Sequence, residues 1–405
     1  MADVFVARQP IFEGDLTLSA YELLFRRGDE NRAVVTDNDD ATSTVIINAF
    51  TELGLETVVG DHRAWINVGR EFVLDRLAFS LPADRVVLEL LENQQVDEPL
   101  LEALRELRDA GYTIALDDFS WDEALIPLLH VVHIVKVDVM PMETADVVRN
   151  VTALRDYNVT LLAEKVETRE EFNVCVELGF DLFQGYFFCK PEVLSGQGIA
   201  PNRLTLLQLV AALQDRNIEF GALEKLITRD VALSYRLLRY INSAFFGLRT
   251  ECSSIGRALT LLGLENVKRW STMTVFAGLD VKPQELILTA LVRARMCELL
   301  GASLREMNAD QNFTLGLFSV IDAMMDAPME EVLDAIPFAD DMRQALIAGE
   351  GRKGRLLDTV LDWERGEFDA ARGVDAAAVG DAHYDALAWA DKAAEQLFED
   401  RAAVA

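Results

Sequence analysis

The chain has 405 residues, 51% of them hydrophobic, which is enough to bury a large core and, by the usual size of a domain, favours two. A formal net charge of −30 repels polyanions at long range, which argues against nucleic acid or an anionic membrane as partner but leaves room for a small phosphate in a local pocket. The four cysteines, Cys175, Cys189, Cys252 and Cys297, form no Cys-x-x-Cys pair, the start carries no signal-like segment and no apolar run reaches membrane-spanning length, so a cytoplasmic protein is expected.

In chain order, seven short apolar runs each end on an acid, an amide or a lysine. Tyr21-Glu22-Leu23-Leu24 carries Glu22, Trp65-Ile66-Asn67 carries Asn67 and Val86-Val87-Leu88-Glu89 carries Glu89. The next four runs end on Asp117 with Asp118, on Lys136 and Asp138, on Glu164 and on Gln184. The runs are strand-length and the intervals admit a helix, as between Glu98 and Ala110 with Gly111 as its stop, so the rhythm is that of β/α units. In a (β/α) barrel, polar groups at the C-terminal ends of strands converge on one site. Each run alone also reads as a solvated strand end, a rim ion pair or a turn; the ordered set of seven is what points to a site. Carboxylates in that number, with an amide and a lysine, suit divalent metal and a phosphorylated substrate. His130 and His133 precede the Ile134 strand with no third ligand nearby and read as packing groups.

The stretch 196–202, with two glycines, a proline and an asparagine after Ser195, reads as a linker between an α/β domain over 1–195 and an all-helical domain over 203–390. Helical spacing resumes at Leu204, Leu207 and Val210, and again at Leu233, Leu237, Leu238 and Ile241. No histidine lies between 134 and 382, so a histidine-ligated metal centre in the helical half is excluded.

From Arg8-Gln9-Pro10-Ile11 to Gln184-Gly185-Tyr186-Phe187-Phe188-Cys189-Lys190-Pro191, with Tyr21-Glu22-Leu23 at its naming motif, the first half resembles the EAL domain of cyclic di-GMP phosphodiesterases. The resemblance implies a modified (β/α) TIM-type barrel that binds two Mg²⁺ or Mn²⁺ ions and hydrolyses cyclic di-GMP to linear pGpG. It implies Glu22, Asn67, Glu89, Asp117 and Asp118 as metal ligands, and Lys136, Glu164 and Gln184 as the catalytic set. It further implies Gln9, Arg26, Asp138 and Lys190 as substrate-binding residues and Glu92 as the anchor of the Asp117 loop. Homodimers are frequent in that family. Three departures break its pattern: Leu23 replaces alanine, Ser120 and Asp122 replace two loop glycines, and Lys165 replaces the glycine of Glu-Gly-Val-Glu. Retained ligands with altered support predict weakened chemistry, and the alternative is an inactive cyclic di-GMP receptor or a protein-interaction scaffold. The helical half resembles an HDOD domain through 229–247 and 254–263, with Ser319 and Val320 where an HD pair would stand. That likeness implies a module for a protein partner, with Arg236, Arg239 and Arg257 as a candidate basic patch.

Overall fold

The computed structural model describes residues 4–27, 55–91, 94–140, 144–190, 210–211, 213–214, 218–229, 237–238, 240–241, 252, 254–277, 283–303, 308–368 and 374–402. The linker 196–202, Glu92, Arg236 and Arg239 lie outside the described residues, as does the side chain of Arg26. The chain forms two compact units, Met1–Lys190 with Leu361–Tyr384, and Pro191–Val360 with Asp385–Ala405.

The first unit is a closed eight-stranded barrel: β1 Val4–Glu13, β2 Leu18–Arg27, β3 Arg63–Val68, β4 Val86–Leu90, β5 Thr113–Leu116, β6 Ile134–Asp138, β7 Thr160–Glu164 and β8 Leu182–Gln184. The seven runs read from the sequence carry β2 to β8. The eighth strand, β1, contains Pro10 and no terminal acid, and it runs antiparallel to both β2 and β8, while the other neighbours pair in parallel. Helices follow the strands where the spacing predicted them. Glu98–Asp109 starts at Asp97, whose side chain accepts from the Leu100 N–H, and buries Leu100, Leu101, Leu104 and Leu107. Arg169–Leu178 opens with a Thr168/Glu171 capping box and stops at Gly179, φ 90°.

Side chains inside the barrel stack in layers because the strand period is two. The lower layer is apolar: Ile11, Ala20, Trp65, Val87, Ala115, Ile134 and Leu162, with Leu182 packed against them. Two residues further along each strand toward the mouth stand Gln9, Glu22, Asn67, Glu89, Asp117, Lys136, Glu164 and Gln184. Gln9 pairs directly with Glu22 and Asn67 with Glu89, while the register steps by two residues at four other strand pairs, where Glu22 stands opposite Trp65, Glu89 opposite Ala115, Lys136 opposite Leu162 and Gln184 opposite Ile11. A single inward stripe thus changes from oil to acid at the mouth.

The helical stretch expected over 203–390 is interrupted, since Leu361–Tyr384 groups with the barrel. Trp363, 1% exposed, meets Phe368 edge-on at 4.6 Å, and the Arg365 guanidinium lies 5.7 Å from the Tyr186 ring centre. Gly366, at φ 76°, leaves only enough room for Leu24, whose Cδ1 would stand 2.8 Å from an added Cβ.

The second unit is helical. Its long helix Gln284–Ser303 is buried or half-buried along most of its length, Glu285 and Arg293 included, and packs closely on Ala309–Phe318. Gly316 permits this approach: a Cβ there would fall 2.2 Å from the Arg293 carbonyl oxygen. At the HD position, Ser319 caps the second helix by donating to the Gly316 carbonyl, and Val320 is buried. Among the described residues no helix is long and apolar enough to cross a membrane.

Candidate active site at the barrel mouth

Lys136 is the hub of the polar layer. Fully buried, its Nζ lies 2.7 Å from Glu89, 2.9 Å from Asp117, 3.2 Å from Glu22 and 3.8 Å from Glu164. Burial alone would lower its pKa, but Glu22, Glu89, Glu164 and Asp117 hold it well above the ordinary lysine value. Burial, and then Glu22, raise the Glu89 carboxyl well above its usual range against the pull of Lys136. Glu164 is pushed up to about 8, chiefly by burial.

Amides link the acids to one another. Asn67 Nδ2 donates to Glu22 Oε1 at 3.1 Å, and Gln184 Nε2 donates to Glu22 Oε2 at 2.6 Å and to Gln9 Oε1 at 3.0 Å. Gln9 in turn donates to the Glu364 carbonyl at 3.5 Å. Glu22 is therefore held from both sides before any ligand arrives.

The rim is made by two left-handed residues. Asp117 continues the pairing of β5, its N–H bonded to the Leu90 carbonyl, and Phe119 N–H returns to the Lys136 carbonyl. Asp118 between them has φ 44°, and this turn separates the two carboxylates into one buried and one exposed. They remain neighbours: oxygens of Asp117, Asp118 and Glu164 lie within 4.8 Å of one another, close enough to share a cation. Burial and the adjacent Asp117 raise the Asp118 pKa. Lys165, directly after β7, has φ 58°, a conformation that costs a side-chain-bearing residue about 1 kcal/mol that glycine avoids. Its Nζ lies 2.5 Å from Asp138 Oδ2 and 3.9 Å from Asp118 Oδ1.

The structure thus brings Gln9, Glu22, Asn67, Glu89, Asp117, Lys136, Glu164 and Gln184 into one connected layer, with Asp118 and Asp138 above it. Lys190 stands apart at the surface, 3.0 Å from Glu167. Arg26 lies on β2 opposite Phe5. His133 packs as expected, its Nδ1 accepting from the Ile114 N–H at 3.1 Å. Sequence reasoning missed the reach of Lys165 to Asp138 and the Gln9–Glu364 link. The first was signalled only by a lysine at a glycine position.

The EAL domain family matches residues 3–191 and the HDOD domain family matches 201–333. Along nearly its whole length the chain is similar to the cyclic di-GMP phosphodiesterase CdgJ of Vibrio cholerae, with 35% identity over 374 residues, 91% of this chain and 86% of that protein. The chain is an EAL–HDOD protein. The uncharacterized protein YuxH of Bacillus subtilis has the same extent, 33% identical over 95% of this chain and 98% of its own. Among solved structures, the manganese/cyclic di-GMP complex of Klebsiella pneumoniae BlrP1 is 26% identical over 45% of this EAL–HDOD chain and 54% of that one, with a TM-score of 0.38.

Proposed function

We propose that the EAL barrel binds cyclic di-GMP at its mouth and hydrolyses one phosphodiester to give linear pGpG, at a rate limited by the altered rim. The observation that carries this reading is the complete ring of polar side chains one layer above an apolar plug, with acids in excess of cations. The similarity to CdgJ, whose name is that of a cyclic di-GMP phosphodiesterase, supports the choice of substrate.

The donor set fits a hard divalent ion. It is made of oxygens, and Asn67 Oδ1 and Glu89 Oε2 are buried with no hydrogen-bond partner among the described residues. In this reading Glu22, Asn67, Glu89 and Asp117 hold one Mg²⁺ or Mn²⁺ ion, and Asp117, Asp118 and Glu164 border a second. Such ions, when bound, polarise the phosphodiester and acidify a water molecule. The chain's own groups do the rest. Lys136, kept protonated by the acids around it, orients that water and offsets charge on the phosphate oxygens. Glu164, whose carboxyl burial raises to about 8 in the ion-free mouth, would be held in its ionised form by a bound cation and so serve as an oxygen ligand beside Lys136. Gln184 and Asn67 fix the Glu22 carboxylate, so it needs no reorganisation. Gln9, Arg26 and Asp138 border the dinucleotide.

Product analysis by chromatography in Mn²⁺ tests the proposal: wild type yields linear dinucleotide and Glu22→Ala yields none. Full activity in Glu22→Ala removes the metal reading. A second reading, a receptor that binds without turnover, is favoured by Lys165 and by the loop Ser120–Asp122, which lacks glycine. For the HDOD half we propose recruitment of a protein partner. The absence of histidine from its sequence between 134 and 382 and the exposed Leu261, 50% accessible, support that reading over catalysis.

A further inference from the structure

Lys165 combines three features that a solvated rim lysine does not need. Its backbone is left-handed at φ 58°, so it accepts strain that glycine would not have. Its ammonium is held 2.5 Å from the mostly buried Asp138 carboxylate although the lysine side chain itself remains 42% exposed. From there it also faces Asp118, at 3.9 Å, one of the three acids whose oxygens cluster within 4.8 Å. Paired ions in two-metal sites stand about 3.5–4 Å apart, so a second ion beside Asp118 would meet a positive charge already within a few ångströms.

We infer that the Lys165 ammonium is a tethered competitor for the second divalent ion, so that the two ion positions of this barrel fill at well-separated concentrations. The inference rests on the reading of the mouth as a divalent-ion site. Lys136 lies 2.9 Å from Asp117 and 3.8 Å from Glu164 but also 2.7 Å from Glu89 and 3.2 Å from Glu22, so it bears on both ion positions alike, whereas the ion pair to Asp118 among the described residues is made by Lys165. At low ion concentration the barrel then holds one ion and binds the dinucleotide with slow turnover. At high concentration the second ion displaces Lys165 from Asp118 and Asp138. The rim lysine thereby makes turnover a graded response to divalent ion, in a protein whose inner ligand set is intact.

The test is a calorimetric titration of the full-length protein with Ca²⁺, paired with Mn²⁺ electron paramagnetic resonance, both without nucleotide. The chains compared are wild type, Lys165→Met, which keeps side-chain length and removes the charge, and Lys165→Gly, which also relieves the backbone. Wild type is expected to bind its second ion roughly tenfold or more weaker than the first. In both variants the two ions fill together and spin-coupled Mn²⁺ pairs form at the lower concentration. Two ions filling together in wild type, or an unchanged separation in both variants, overturns the inference and leaves the metal reading standing. Unchanged ion binding in Lys165→Met, together with weakened cyclic di-GMP binding in a separate titration in Ca²⁺, assigns the ammonium to a substrate phosphate and also overturns it. No ion bound by any of the three chains overturns the metal reading, and the inference with it.

Discussion

The barrel mouth and the cavity of the helical unit are both lined by charge, and they balance it differently. In the helical unit a cavity of about 340 Å³ includes Glu265, Lys268, Arg269 and Asp310 in its lining. There Arg269 donates to Glu298 at 2.7 Å and to Asp310, its guanidinium carbon lies 4.5 Å from the Phe313 ring centre, and Lys268 lies 3.9 Å from Glu265. Cations and acids meet in matched groups. At the mouth, Glu22, Glu89, Asp117, Asp118, Asp138 and Glu164 face only Lys136 and Lys165 among the described residues. Charge that is paired locally is architecture, whereas like charge gathered in a buried place without enough partners implies a ligand of opposite sign.

The contrast breaks most sharply at Glu22. Glu22→Ala is expected to remove turnover while leaving the helical unit folded, checked by product analysis beside circular dichroism. The next largest effect is at Lys136. Lys136→Met leaves Glu89 buried without its cation and is expected to destabilise the metal-free protein by about 3–5 kcal/mol, read from urea denaturation in EDTA. Added Mn²⁺ should return much of that loss if a divalent ion can stand in for the ammonium; no recovery would mean that the carboxylates are not ligands.

A third prediction concerns His383, in the part of the C-terminal region that groups with the barrel. Burial, assisted by Arg8, depresses its pKa from the usual 6.5 to about 3. The folded protein therefore keeps it neutral where the unfolded chain takes up a proton. Stability from this group is fully present above pH 6.5 and is lost at about 1.4 kcal/mol per unit as pH falls toward 3. Thermal denaturation at pH 7 and pH 5 should show that slope in wild type and a flatter one in His383→Gln. The smallest effect on ion binding belongs to the balanced cavity: Arg269→Ala should leave Ca²⁺ binding unchanged. A large change in ion binding in that variant would erase the distinction between the two regions.

Much of the site was legible because strand period and strand end coincide. Trp65 and Asn67, Val87 and Glu89, Ile134 and Lys136 are two apart, so each pair shares a face and the apolar member predicts where the polar one points. The direction of β1 was not legible, since alternation is the same for a strand read either way, and Pro10 obscured it as a strand. Nor was the reach of Lys165 to Asp138, which depends on a backbone angle that sequence spacing does not encode. Lys190 shares a motif with Gln184 but lies beyond the turn at Tyr186–Cys189, which carries it to Glu167. The grouping of Leu361–Tyr384 with the barrel shows in the links of Gln9 to the Glu364 carbonyl, Leu24 to Gly366 and Arg365 to Tyr186, contacts too distant in sequence for periodicity to reveal.

The most direct measurement is calorimetric titration of cyclic di-GMP into the full-length protein, once in Ca²⁺ and once in EDTA, with Glu22→Ala alongside. An ion-bearing acidic mouth predicts saturable binding by wild type in Ca²⁺, and little or none in EDTA or in the variant. Equal binding in EDTA, or binding that survives loss of Glu22, would contradict it.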